Sequence, residues 1–124
     1  MNKDRVILMQ TSISYTIEER EGVKILNMHG PLSVATETEY EALIDDITSN
    51  NNVIVNMSNV NLVTSSGLRA LVNASANAKK KSKRVLLMGV PDEFMKTIDI
   101  MDIYDQLLIV DSIEEGIRKL EYYI

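Results

Sequence analysis

Few residues in this chain have the type and spacing to do chemistry, and most of those gather in one stretch. Thr64-Ser65-Ser66-Gly67-Leu68 sets three hydroxyls in a row, after a short apolar run, Val53-Ile54-Val55-Asn56-Met57, and at the start of a helical pattern. Amides in the first turn of a helix are unsatisfied and carry partial positive charge, so an anion there gains roughly 0.3–1 kcal/mol. A phosphate on Ser65 would bring about −1.5 to −2 charges and three acceptor oxygens to that spot. Ser65 is the first candidate acceptor and Ser66 the second. A serine at a helix start is more often simply an N-cap, and Ser65 or Ser66 can cap this helix. Gly67 can likewise exist only for close packing of helix on sheet.

Other candidates carry less. No histidine lies near Ser65 in the sequence to act as its base, and no carboxylate accompanies it in the loop, which argues against an enzyme nucleophile. His29 is the sole histidine and precedes Gly30-Pro31; with no partner motif, its expected role is structural. Asp45-Asp46 falls on a helix, where adjacent residues do not face one another, so a solvated face is expected rather than a carboxylate pair. The run Lys79 to Arg84 suits the negative end of a helix dipole, with an acidic partner as the second explanation. The chain has no cysteine, so disulfides, thiolate metal sites and thiol catalysis are excluded. Neither GxxxxGK[ST] nor GxGxxG occurs, and Asn56-Met57 ends the central strand where a receiver domain would want a phosphoacceptor aspartate. No enzyme activity, cofactor or metal is expected.

The elements that must position Ser65 are legible from periodicity. Residues 1–12 form an arm or a short extra strand, and residues 13–124 one domain. Ile13, Tyr15 and Ile17 alternate with polar neighbours, as in a half-buried strand. Glu19-Arg20-Glu21-Gly22 turns the chain into a second strand, Val23 to Met28, ended by Gly30-Pro31. Ser33 and Thr36 are both plausible caps for a helix whose apolar face is Tyr40, Leu43, Ile44 and Ile47, broken by Asn50-Asn51-Asn52. Val53–Met57 is a buried central strand, and residues 58–64 are a loop. The helix from Ser65 buries Leu68, Leu71, Val72 and Ser75. Val85–Met88 is a strand, Phe94, Ile98 and Met101 mark a short helix, and Leu107 to Val110 the last strand. Ser112-Ile113-Glu114-Glu115 has capping-box spacing ahead of a helix with Ile113, Ile117, Leu120 and Ile124 on its apolar side. Alternation of this kind calls for an α/β fold: a mixed β-sheet with parallel βαβ crossovers, packed against about four helices.

Composition agrees with a globular domain: 45% apolar, 25% charged. A net charge of −5 argues against nucleic acid and against a polybasic membrane anchor. The run Val6 to Met9 is too short for a signal-peptide core or a membrane span, so a cytoplasmic protein is expected. The seven methionines read as core filler.

The stretch Val53 to Leu71 resembles the signature of STAS domains (sulfate transporter and anti-sigma factor antagonist), in which a strand and loop lead to Asp-Ser-Ser-Gly-Leu. The resemblance runs over roughly residues 13–122. His29-Gly30-Pro31-Leu32 is similar to the family's Gly-Pro-Leu, Leu86 to Pro91 to its strand after the second helix, and Ile98 to Ile103 to its short third helix. The resemblance implies an anti-sigma factor antagonist. Such a protein binds an anti-sigma factor that is also a serine protein kinase, and is released when that kinase phosphorylates the first serine of the motif, here Ser65. A phosphoserine phosphatase is a further implied partner, and the chain would be a monomer or weak dimer. Partner contacts would fall on Asn56, Thr64, Ser65, Ser66, Gly67, Arg69 and Met95, and the resemblance places Met95, Ile100 and Met101 where the third helix borders the partner surface, as a candidate apolar patch. Three positions depart from the family pattern: Thr64 stands where an acidic residue commonly precedes the acceptor, Asn56 where the strand often has aspartate, and Asp102 where glycine commonly follows the third helix. A constitutive scaffold subunit, in a stress-sensing or transporter-associated complex, is the alternative.

Overall fold

The computed structural model describes residues 13–123; the expected arm over 1–12, and Ile124 of the last apolar stripe, lie outside them. In chain order come β1 (Ser14–Arg20), β2 (Val23–Leu32), α1 (Glu37–Ile47), β3 (Val53–Val63), α2 (Ser65–Lys80), β4 (Val85–Met88), α3 (Asp92–Met101), β5 (Leu108–Val110) and α4 (Ile113–Leu120). Single 3-10 turns occupy Tyr104–Gln106 and Glu121–Tyr123. The five strands form one mixed sheet in the order β1-β2-β3-β4-β5. β1 is antiparallel to β2 and every later neighbour pair is parallel. The hairpin closes over Glu21 and Gly22, both at positive φ, as a two-residue turn matching the strand twist requires.

Each crossover steps one strand onward in the same direction. Right-handed crossovers that keep stepping one way put their helices on one face. α1, α2 and α3 accordingly share a face, where Tyr40, Ile44, Leu68, Leu71, Phe94 and Ile98 close over Leu26, Val53, Val55, Val85 and Leu87. α4 returns across the opposite face and covers Val23, Ile25, Ile54, Leu86 and Val110. Its start is close to the expected box: Ser112 Oγ accepts from Glu115 N–H at 3.0 Å, while Glu115 Oε1 accepts from Asp111 N–H at 2.6 Å, one residue earlier than the standard box.

Several expectations need correction. β1 is not half-buried: all seven residues are exposed, Tyr15 and Ile17 at 41% and 42%. It is an edge strand, and Tyr15 only lines an open cleft with Glu39, Ala42, Leu43 and Asp46 of α1. β2 does not stop before Gly30-Pro31, and residues 58–64 are not a loop; β2 continues to Leu32 and β3 to Val63. The register explains both. Asn27 pairs with Asn56, His29 with Asn59, Gly30 with Val60 and Pro31 with Leu62, so β3 twice inserts an extra residue. A bulge is a place where proline's missing N–H does not break the ladder. It also turns the inward period from two to three, so that Met57, Val60 and Val63 all reach the core. α1 begins at Glu37 with Thr36 as its N-cap residue, but the Thr36 hydroxyl makes no cap bond; it donates to Pro31 O at 2.9 Å and accepts from Ser33 N–H at 3.0 Å.

Candidate functional site

The junction of β3 with α2 is a single residue, Thr64. Its backbone is extended (φ −95°, ψ 165°) and its Oγ1 accepts from Gly67 N–H at 3.1 Å, making Thr64 the N-cap in place of the expected Ser65 or Ser66. Threonine is a competent N-cap, so the family's acidic residue is replaced here with the cap kept and the charge lost. Ser66 Oγ lies 3.1 Å from Thr64 Oγ1 and is half-buried. Ser65, the first helical residue, is exposed, and its hydroxyl has no hydrogen-bond partner among the described residues. The two adjacent serines are therefore not equivalent.

Gly67 is buried and offers no side chain to a partner. A Cβ there would stand 2.5 Å from Leu32 O and 2.9 Å from Leu32 Cγ. The same Leu32 carbonyl accepts from Thr64 N–H at 3.0 Å, so the start of α2 is fastened to the end of β2 on both sides of Ser65. Arg69 is exposed on α2, four residues after Ser65 and hence on the same side of the helix.

Asn56 is not at this junction. It sits mid-strand in β3 on the face away from α1, α2 and α3, level with Met88 of β4. Its Nδ2 donates to Asn27 Oδ1 at 2.9 Å, and its Oδ1 accepts from Ser58 N–H at 3.0 Å and Ser58 O–H at 2.7 Å. Asn27 Nδ2 in turn donates to Thr16 Oγ1 and Glu18 Oε2. The result is a side-chain ladder across β1, β2 and β3, in which an amide that both donates and accepts serves where a carboxylate could only accept. Met95 is half-buried and lines a different feature, a cleft of about 400 Å³ bounded by Gly89, Asp92, Tyr104, Asp111 and Glu115 at the carboxyl ends of β4 and β5. Of its companions, Met101 is half-buried and Ile100 is 84% exposed.

Two apolar residues near Ser65 escaped the sequence reading. Val34, in the turn after β2, is 74% exposed, and Leu62, near the end of β3, is 51% exposed. Leu62 could have been found only by knowing the bulge that turns it outward; Val34 has no periodic signal at all. The His29 carbonyl accepts from the Tyr40 hydroxyl at 3.1 Å. The Asp45 carbonyl accepts from Lys81 Nζ at 2.8 Å and its carboxylate from Asn77 Nδ2 at 3.5 Å. No group of acidic or histidine side chains among the described residues could hold a metal ion, and no helix among them is long and apolar enough to cross a membrane.

Residues 14–116 match the family model of the STAS domain, and the chain belongs to that family. No curated protein matches the sequence. Among solved structures, an anti-sigma factor antagonist from Mycobacterium paratuberculosis is similar over 89% of this chain and 95% of its own, at 16% identity and a TM-score of 0.75. Unphosphorylated SpoIIAA, an anti-sigma factor antagonist, is similar over 90% of this chain and 100% of its own, at 15% identity and a TM-score of 0.64; this Bacillus protein is also known in its phosphorylated form. The murine anion transporter Slc26a9 is similar over 95% of this chain but only 24% of its own, at 18% identity and a TM-score of 0.76. At these identities the likeness is one of fold.

Proposed function

We propose that this chain is a cytoplasmic anti-sigma factor antagonist that switches partners through Ser65. Unphosphorylated, it binds an anti-sigma factor that is also a serine kinase. The kinase then moves the γ-phosphoryl group of ATP to Ser65 Oγ, the hydroxyl proton leaving to a base of the kinase and ADP departing, and the product is released. A phosphoserine phosphatase resets it. The serine is a substrate residue and the chain is not itself an enzyme.

The observation that carries this proposal is the Ser65 hydroxyl: exposed, unbonded among the described residues, and held at a fixed place by a helix start fastened to β2. Exposed Val34 and Leu62 at the same end of the sheet give a docking protein apolar surface to cover. A dianion introduced among them needs to cost the complex only about 1.4 kcal/mol to weaken it tenfold. Ser65→Ala is expected to hold the kinase constitutively and Ser65→Glu to hold it weakly. Incubation with the organism's candidate serine kinase and Mg-ATP, followed by intact mass and site mapping, should place a single phosphate on Ser65. Equal affinity of the two variants, or no phosphate, sinks the switch.

A scaffold role is favoured by one observation: the same fold forms part of the much larger Slc26a9 chain. It predicts a stable complex that is insensitive to kinase and ATP.

A further inference from the structure

Ser65 and Arg69 are the first and fifth residues of α2. Helical side chains lean back toward the N-terminus, so Arg69 reaches toward the turn that carries Ser65, and residues four apart stand about 5–6 Å apart at Cβ. Arg69 is exposed and makes no ion pair among the described residues. Its own helix gives it no acidic competitor in the first turn, whereas α1, α3 and α4 open with Glu37 and Glu39, Asp92 and Glu93, and Glu114 and Glu115.

We propose, building on Ser65 as the acceptor, that Arg69 is the internal counter-ion of the phosphorylated site and that phosphorylation thereby withdraws it from the partner. In the unmodified chain the guanidinium is free to meet a carboxylate on the anti-sigma factor. A phosphate on Ser65 offers the same guanidinium a dianion on its own helix, at no cost in association entropy. The switch then acts twice: it adds negative charge to the docking face and occupies the cation there. Arginine suits this better than lysine because its planar fork can take two phosphate oxygens at once.

The test needs no partner. Phosphoserine is incorporated genetically at position 65 of the full chain, and the phosphate is titrated by phosphorus NMR in the Arg69, Arg69→Lys and Arg69→Gln proteins. An arginine at the phosphate favours the dianion, so the midpoint is expected below the ordinary value of about 6, rising by about half a unit in Arg69→Gln, roughly a threefold change in proton affinity. Arg69→Lys should fall between. Identical midpoints in all three proteins overturn the proposal, and thermal unfolding of each confirms that the fold is intact. A second arm uses the kinase that captures the unmodified chain: Arg69→Gln should weaken capture about tenfold, and adding Ser65→Glu should then cost much less than it does with Arg69 present. Additive losses overturn the withdrawal of Arg69. A kinase that binds no version fails the proposed function instead, and the phosphorus titration still decides whether Arg69 is the counter-ion.

Discussion

Ser65 and Ser66 are adjacent and chemically identical, and their hydrogen bonds and exposure separate them. Thr64 caps the helix and holds Ser66, which leaves Ser65 the spare hydroxyl. Unfolding in urea should report this directly. Ser65→Ala is expected to leave stability within about 0.5 kcal/mol, as for a surface change that breaks nothing. Thr64→Val keeps the side-chain shape but loses the cap, at about 1 kcal/mol. If Ser65→Ala proved the costlier change, the assignment of the cap would be wrong. The motif itself was legible in the sequence, because hydroxyls at the start of a helical pattern are visible as letters. Which hydroxyl caps was not, since three neighbouring residues can each do so and the choice depends on where β3 ends.

At the scale of elements, the departures from the family pattern separate into kinds. Asp102 ends α3 in the left-handed conformation (φ 58°, ψ 44°), which explains why glycine is common there. Aspartate tolerates this region better than most residues but still at a cost. Asp102→Gly is expected to stabilise the chain by about 0.5 kcal/mol, and Asp102→Val to destabilise it by about 1–2 kcal/mol, read as shifts in urea midpoint. An unchanged midpoint in the valine variant would show that the turn is not held in that conformation. The first half of β3 was visible in the sequence as a short apolar run, the mark of a strand covered on both faces. Its second half was not, because two inserted residues turned Met57-Val60-Val63 into a three-residue repeat that resembles a loop. The same bulged strand, in place of the expected loop over residues 58–64, separates Asn56 from Ser65.

The whole molecule is joined at Tyr40, whose hydroxyl lies 2.9 Å from Ser14 O and 3.1 Å from His29 O, where α1 meets β1 and β2. Burial pushes the phenol's pKa up from its ordinary 10.0. Below about pH 10 the folded and unfolded chains both keep the proton and the full stability is present. As the pH climbs further the unfolded chain ionises first, so stability falls through the folded pKa. Tyr40→Phe should cost about 1 kcal/mol at neutral pH from the lost hydrogen bond, and should flatten the alkaline side of the stability curve relative to the unaltered chain. Parallel curves for the two proteins would refute the linkage.

Because α1, α2 and α3 start at the carboxyl ends of the strands they follow, and α4 does so on the other face, all four helices aim their N-termini at one rim. Acidic residues in the first turn cover the positive ends of α1, α3 and α4, whereas α2 opens without one. A partner approaching along the strand axis therefore meets three helix starts covered by carboxylates and one that is not. The one helix start that carries Ser65 is thus the one whose positive end is left bare of carboxylates.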